Sequence, residues 1–180
     1  GLGESLNFNS DQSLTVNELQ KPSVIGAGIM GAGIAARHVR SGFVTRLVDV
    51  DAKALSESVP AILEEAAWDR FYQKTDQKKM RELTGCLMPT TQLSSVTDAD
   101  IVIESVIERT DLKRQVLAEI ENIVSPKAII CTNTSTNPIA TLASVFSDPT
   151  RFCGMHFFNP VRKMSLVEDF IILIHNIAFV

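Results

Sequence analysis

The chain has 180 residues, of which 45% are apolar and 21% charged, as is typical of a globular domain with a real core. Its net charge of −4 argues against a nucleic-acid partner, and we find neither a bilayer-spanning stretch nor a secretion signal. The three cysteines form no CxxC pair. We therefore predict buried or semi-buried thiols in a reducing compartment, the cytoplasm, with no metal site and no membrane association.

The beginning of the chain predicts a strand, a helix and a second strand. Residues 1–22 are polar and aperiodic, and we interpret them as a tail or linker. An apolar run at residues 23–25 stops at glycines, which is typical of a buried strand entering a tight turn. Apolar positions at helical spacing predict a helix over residues 29–41, and a strand follows at residues 45–50.

Residues 52–83 are rich in Ala, Leu, Glu, Lys and Gln, which predicts mostly helix. Pro60 either lies in the first turn of a new helix or kinks a longer one. A loop is predicted at residues 94–98. The remaining segments alternate between strands, at residues 87–92, 101–103, 128–131 and 152–158, and helices, at residues 111–124 and 139–146. Such alternation predicts an α/β fold, with a mostly parallel, doubly wound sheet and a helical excursion after the second strand.

Gly26, Gly28 and Gly31 form a GxGxxG pattern between the first strand and the first helix. In a dinucleotide-binding fold of the Rossmann type, the first glycine permits the tight turn and the second lets the backbone approach a pyrophosphate. The third lets the helix pack closely on the strand. The start of the helix, at Ile29 and Met30, would offer N–H groups and a positive dipole end to the phosphates.

Asp49 ends the second strand, about 20 residues after the glycines, where a carboxylate can accept hydrogen bonds from a ribose 2′-OH. A carboxylate there would repel a 2′-phosphate, and no arginine directly follows it. We therefore expect NAD rather than NADP. The alternative, in which the glycines only shape a loop and Asp49 is a turn residue, is less favoured because both elements are in place.

Polar residues also follow three later strands, at residues 103–108 with Lys113, at residues 131–135 and at residues 155–160. Ligands of open α/β sheets bind beyond the carboxyl ends of the strands, so we expect these groups to converge with the glycine loop.

His156 is the candidate general base, because a neutral imidazole can take a hydroxyl proton while hydride leaves the same carbon. It requires a carboxylate to orient it, and a turn at residues 159–160 would return Glu168 to its side. His156 as a structural hydrogen-bond partner is the alternative. Ser135 and Asn159, taken alone, are equally compatible with loop or capping roles.

Four ordered blocks resemble the 3-hydroxyacyl-CoA dehydrogenases: residues 26–35, residues 101–108 with Lys113, residues 133–135, and residues 151–161 continuing to Glu168. The resemblance covers residues 23–168. It implies NAD-dependent oxidation of 3-hydroxyacyl-CoA to 3-ketoacyl-CoA, in fatty-acid β-oxidation or a related pathway.

The resemblance also implies roles for individual residues. His156 would be the general base and Glu168 its orienting partner, while Ser135 and Asn159 would hold the substrate oxygen and help to position the nicotinamide. Asp49 would bind the adenosine ribose. The excursion at residues 52–83 would help to hold CoA. The resemblance implies that Glu108 and Lys113 line the nicotinamide ribose and cofactor side, and we include Asn133 among the cofactor-binding residues.

The expected NAD-binding domain spans residues 23–168, and residues 169–180 do not follow the family pattern. The family's helical domain, which closes the acyl-CoA cleft and forms most of the homodimer interface, is expected to be missing. One alternative is a catalytically incompetent NAD-binding module with a structural or regulatory role. Another is a dehydrogenase of a free hydroxy acid, with Arg162 or Lys163 paired to the substrate carboxylate.

Overall fold

Six short apolar segments form one parallel sheet, and helices on its two faces cover it. The structure, a computed structural model, describes residues 19–157. In chain order its strands and α-helices are β1 (Pro22–Ile25), α1 (Ile29–Arg40), β2 (Thr45–Val48), α2 (Ala52–Ala66), β3 (Trp68–Asp69), β4 (Lys74–Thr75), α3 (Gln77–Leu83), β5 (Leu87–Thr90), β6 (Ile101–Glu104), α4 (Thr110–Ile123), β7 (Ile129–Asn133), α5 (Ile139–Ala143) and β8 (Phe152–Met155).

The order of strands across the sheet is β5-β2-β1-β6-β7-β8, and every neighbouring pair is parallel. Counted along the chain, this is the 3-2-1-4-5-6 order of the Rossmann fold, which confirms the predicted class. Val24 of β1 lies opposite Leu47 of β2 and Ile103 of β6. The order reverses between β1 and β6, so a ligand crevice opens at the carboxyl ends of these two strands.

Alternate residues of the central strands enter two different cores. Val24 of β1, with Ile101 and Ile103 of β6, faces the cluster that includes α1 and α2. Ile25 and Val102 point the other way, into the cluster that includes α4 and α5. Burial on both faces explains why these strands are continuous apolar runs rather than alternating ones.

The excursion after β2 is mostly helical, as predicted, but α2 and α3 are separated by the short antiparallel hairpin of β3 and β4, which was not predicted. The Asp69 carboxylate makes the turn by accepting hydrogen bonds from the backbone N–H groups of Phe71 and Tyr72. Gln73 completes it with a φ of 52°. Pro60 lies in the interior of α2, so no new helix begins there.

The start of the fold precedes residue 23. Leu19 is buried in the core, and β1 begins at Pro22. The carboxylate of Asp100 accepts hydrogen bonds from the backbone N–H groups of Gln20 and Lys21. These contacts fix the entry of β1 next to the loop that leads into β6.

Most other differences concern where elements end. The second strand and the last described one stop earlier than predicted, at Val48 and Met155, and α5 ends at Ala143. The predicted loop at residues 94–98 is a 3₁₀ helix, Leu93–Asp98. Among residues 19–157, no helix combines the length and the apolar character that crossing a bilayer requires.

The three cysteines are buried or half-buried, as predicted, and all are free thiols in the structure. Cys131 of β7 and Cys153 of β8 are buried register partners, with their sulfur atoms 3.2 Å apart. Cys86 is half-buried beside the carbonyl of Gly42.

Candidate functional site

The loop between β1 and α1 follows a path that its glycines make possible. Gly26 has a φ of 105°, and a Cβ there would lie 2.5 Å from the Ser105 carbonyl oxygen, which belongs to the neighbouring loop after β6. A Cβ on Gly31 would lie 1.8 Å from the Gly26 carbonyl oxygen. Neither position accepts a side chain, so the loop and the first turn of α1 pack directly on one another.

Gly28 differs from these two because the space in front of it is open: a Cβ there would meet nothing within 4 Å. It is the N-cap of α1, no side chain caps the helix, and the first turn has no acidic residue. The N–H groups of the first turn, from Ile29 and Met30 onward, therefore have neither a capping side chain nor an acidic residue of their own turn. The residues present fit the pyrophosphate of a dinucleotide.

Asp49 joins the end of β2 to this loop. One carboxylate oxygen accepts a hydrogen bond from the Ala27 N–H at 2.8 Å, and the other accepts one from the Asp51 N–H at 2.9 Å. Asp49 remains partly exposed, and each oxygen has a second lone pair available. The neighbouring Val50 is 89% exposed, so an apolar surface lies beside the carboxylate.

A buried charge cluster lies at the carboxyl ends of β6 and β7. Glu104 and Lys113 are both fully buried, and the Lys113 ammonium lies 2.9 Å from the Glu104 carboxylate. The ammonium also donates to the carbonyls of Val106 and Asn133, each at 3.1 Å. Lys113 was expected on the cofactor side of the site. In the structure it lies behind the loops, with its three donor hydrogens taken by protein oxygens.

The Glu108 carboxylate is the partly exposed end of this cluster, 3.6 Å from the Lys113 ammonium. It accepts hydrogen bonds from the Thr134 hydroxyl, from the Ser135 N–H at 2.8 Å and from the Asn137 amide at 2.7 Å. Burial raises the pKa of Glu108, but these hydrogen bonds and the Lys113 charge outweigh that effect and hold the pKa below its ordinary value. Glu108 is therefore ionised at neutral pH.

Asn133 connects the end of β7 to the segment that follows β8. Its amide nitrogen donates to the Ser105 hydroxyl at 3.3 Å, and its side-chain oxygen accepts from the Phe157 N–H at 3.3 Å. His156, one residue before Phe157, is exposed beyond the end of β8. The structure thus brings Glu108, Asn133 and Ser135 together and puts His156 directly after the neighbouring strand, β8. Asn159 and Glu168 lie outside the described residues.

Sequence reasoning assigned no role to Glu104, Asn137 or the exposed apolar residues Val50 and Ile107, which border the site. The sequence could have indicated a role for Glu104, because a carboxylate that ends an otherwise apolar buried strand needs a partner. It could not have indicated one for Asn137, since the contact of Asn137 with Glu108 depends on how two loops meet.

Comparison with known proteins agrees with this geometry. The family model described as 3-hydroxyacyl-CoA dehydrogenase, NAD binding domain, matches residues 21–172. FadB2 of Mycobacterium tuberculosis is 31% identical, with a TM-score of 0.75 over 81% of this chain and 52% of its own. The (S)-3-hydroxybutyryl-CoA dehydrogenase of Ralstonia eutropha is 34% identical, with a TM-score of 0.74 over 81% and 52%.

The 3-hydroxybutyryl-CoA dehydrogenase of Escherichia coli is 32% identical, with a TM-score of 0.74 over 81% of this chain and 31% of its own. The chain thus spans about half the length, or less, of these three structures. The matched family domain covers the glycine loop, Asp49 and the polar ends of β6, β7 and β8. The chain belongs to the 3-hydroxyacyl-CoA dehydrogenase family as its NAD-binding domain, and its cofactor is NAD.

Proposed function

We propose that this chain is the cofactor-binding part of an enzyme that oxidises 3-hydroxyacyl-CoA to 3-ketoacyl-CoA. The observation that carries the proposal is the cluster of polar groups around Glu108 and Ser135, on the same edge of the sheet as the glycine loop. Two of the similar structures are described as 3-hydroxybutyryl-CoA dehydrogenases, which supports a 3-hydroxyacyl thioester as the substrate.

His156 is the general base of the proposed reaction. Its exposed imidazole takes the proton of the substrate 3-hydroxyl, and in the reverse direction the imidazolium returns it. NAD, when bound, accepts the hydride from the same carbon. We assign Ser135 and Asn159 to the substrate oxygen and the nicotinamide, and Glu168 to the orientation of His156, on the strength of the family resemblance.

The cofactor residues divide into two groups. Asp49 accepts from the adenosine ribose, and the glycine loop with Ile29 and Met30 binds the pyrophosphate through N–H groups. On the nicotinamide side, Glu108 accepts from the ribose hydroxyls, which its ionised carboxylate suits. Asn133 serves the same side by keeping the ends of β7 and β8 together.

We further propose that the NAD-binding domain extends to residue 168 and that the excursion between β2 and β5 helps to hold CoA. The family's helical domain would close the acyl-CoA cleft and join the full-length protein into a homodimer. We assign the activity to fatty-acid β-oxidation or a related pathway. We place the protein in the cytoplasm, because its sequence has the cysteine usage of a reducing compartment.

The experiment joins this chain to the remaining half of the Ralstonia eutropha relative and follows NADH consumption with acetoacetyl-CoA. We expect turnover with the thioester and none with free acetoacetate, because a site for a free acid needs a cation paired with the substrate carboxylate. A His156→Gln variant should lose at least about a hundredfold in kcat, the usual contribution of a general acid–base group.

Ser147→Ala is the matched control, since Ser147 binds Glu121 on a loop that has no role in the site. It should leave the rate unchanged. A folded chimera that binds NADH but turns over neither substrate would contradict the proposal and favour an NAD-binding module without catalysis. Faster turnover of the free acid would favour a hydroxy-acid dehydrogenase.

A further inference from the structure

Glu104, the last residue of β6, is a carboxylate with no contact to solvent. One of its oxygens accepts hydrogen bonds from the Val106 N–H at 2.7 Å and from the Lys113 ammonium at 2.9 Å. The other accepts from the hydroxyl of Thr132, its register partner in β7. The carboxylate is therefore satisfied on both oxygens by three different segments of the chain.

Lys113 connects Glu104 with the loops that follow β6 and β7. Its ammonium donates to Glu104 and to the carbonyls of Val106, the second residue after β6, and of Asn133, the last residue of β7. These bonds occupy its three hydrogens. Its positive charge still acts on the exposed part of the site, because the ammonium lies 3.6 Å from the Glu108 carboxylate.

Packing alone does not explain such a pair. Burying two charges costs desolvation energy that their attraction barely repays, and apolar residues of similar volume are often as stable or more so. What the pair provides is geometry, because each charged atom requires a definite set of partners. For Lys113, those partners include the carbonyls of Val106 and Asn133, which lie where the two loops that carry Glu108 and Ser135 begin.

We infer that Glu104 is a positioning residue for the nicotinamide side of the site: through Lys113 it fixes Glu108, and through Glu108 it fixes Ser135. Glu104 itself touches no ligand. The inference rests on the proposed function, because that proposal assigns Glu108 and Ser135 to the nicotinamide side. It adds a residue to which the proposed function gives no role.

The two halves of the dinucleotide site allow a sharp test. ADP carries the adenosine and the diphosphate but neither the nicotinamide nor its ribose, so it reports on the glycine loop and Asp49 alone. We expect Glu104→Gln to weaken NAD binding about tenfold or more and to leave ADP binding unchanged within about twofold. Asp49→Ala, the opposite control, should weaken both ligands. Calorimetry at 25 °C on the chain as it stands gives both constants.

A cycle of variants tests whether Glu104 acts through Lys113. Lys113→Met should weaken NAD binding selectively, and adding Glu104→Gln to it should weaken NAD no further, because the link is already broken. The double variant also removes both buried charges, which keeps it foldable. Should Glu104→Gln alone fail to fold, Thr132→Val takes its place, since it keeps both charges and removes only the hydroxyl that orients Glu104. We expect it to change the NAD-to-ADP affinity ratio in the same direction.

Each of the other outcomes would contradict a specific part of the inference or of the proposed function. Equal losses for NAD and ADP in a folded Glu104→Gln would reduce Glu104 to a structural residue, and no loss for either would remove its role. A further loss of NAD binding in the double variant would mean that Glu104 acts without Lys113. If the unaltered chain binds ADP and NAD equally well, the proposed nicotinamide side is wrong, which is a failure of the proposed function and distinct from the others.

Discussion

The Asp49 carboxylate accepts a hydrogen bond from the backbone N–H of Ala27 at 2.8 Å, across the gap between β2 and the glycine loop. The residue expected to bind the adenosine ribose thus also holds the loop expected to bind the pyrophosphate. A site prepared in this way loses little conformational freedom when its ligand binds, and affinity gains accordingly.

Gly31 and Gly28 should separate stability from binding. Gly31→Ala puts a methyl group 1.8 Å from a backbone oxygen, so we expect a loss of about 3 kcal/mol or more in the free energy of unfolding. Gly28→Ala meets nothing within 4 Å and should change stability by less than about 1 kcal/mol while weakening NAD binding, because its methyl group occupies the open space. Urea denaturation and NAD titration of both variants check this. Normal NAD binding by Gly28→Ala would contradict the location of the pyrophosphate.

His38 should make stability depend on pH. It is buried in α1 and donates through Nδ1 to the Ile34 carbonyl. Burial, aided by the nearby Arg37 charge, lowers its pKa below 6.5 despite that hydrogen bond. Near pH 6.5, His38 therefore binds a proton in the unfolded chain but stays neutral in the folded chain. Stability conferred by the neutral ring is complete above this pH and falls as the pH drops from 6.5 toward the folded pKa, by at most about 1.4 kcal/mol per pH unit.

The matched variant for this effect is His38→Gln, which retains a donor but does not titrate. Urea denaturation of both proteins between pH 7.5 and pH 5 should show a steeper loss in the unaltered chain. Parallel curves for the two proteins would contradict the assignment to His38.

The cysteines should differ in reactivity. The hydrogen bond to Cys153 and burial raise the pKa of the Cys131 thiol, so it stays protonated and unreactive, and Cys153 is nearly enclosed as well. Cys86 is half-buried and faces the surface at the end of α3. A thiol reagent should therefore modify one thiol quickly in the native chain and all three in urea. Cys86→Ser should abolish the fast phase. Fast modification of that variant would mean that the core opens readily.

Local rules predicted the first half of the sheet well. The glycine spacing, the apolar runs at β1 and β6 and the acid after β2 each express a constraint within a short stretch of chain, and together they specify the Rossmann order. The cofactor loop and Asp49 follow from the same constraints. Their hydrogen bond was not predicted, because it depends on the distance between two strand ends.

Two features of the structure were not predicted from the sequence. The hairpin of β3 and β4 lies between two helices, inside a stretch whose overall composition is helical. No glycine or proline marks its turn, which the Asp69 hydrogen bonds and the φ of Gln73 form. Its own aromatic residues favour strands, but this signal is short compared with the helical stretch around it. Lys113 has the polarity of a surface residue, and its burial depends on Glu104, which is nine residues away in sequence and on another element. The burial of Lys113 is therefore decided by a contact between two elements.

The most direct test of the account is calorimetric titration of the chain with NAD and with NADP, repeated on Asp49→Ala and on Asp51→Ala. Asp51 is the control because its carboxylate caps α2, two residues away, and makes no contact with the glycine loop in the described part of the chain. We predict that the unaltered chain and Asp51→Ala bind NAD more tightly than NADP. Asp49→Ala should bind NAD at least about tenfold more weakly and lose the preference. A folded chain that binds neither cofactor, or an Asp49→Ala variant that keeps its affinity and preference, would contradict the account.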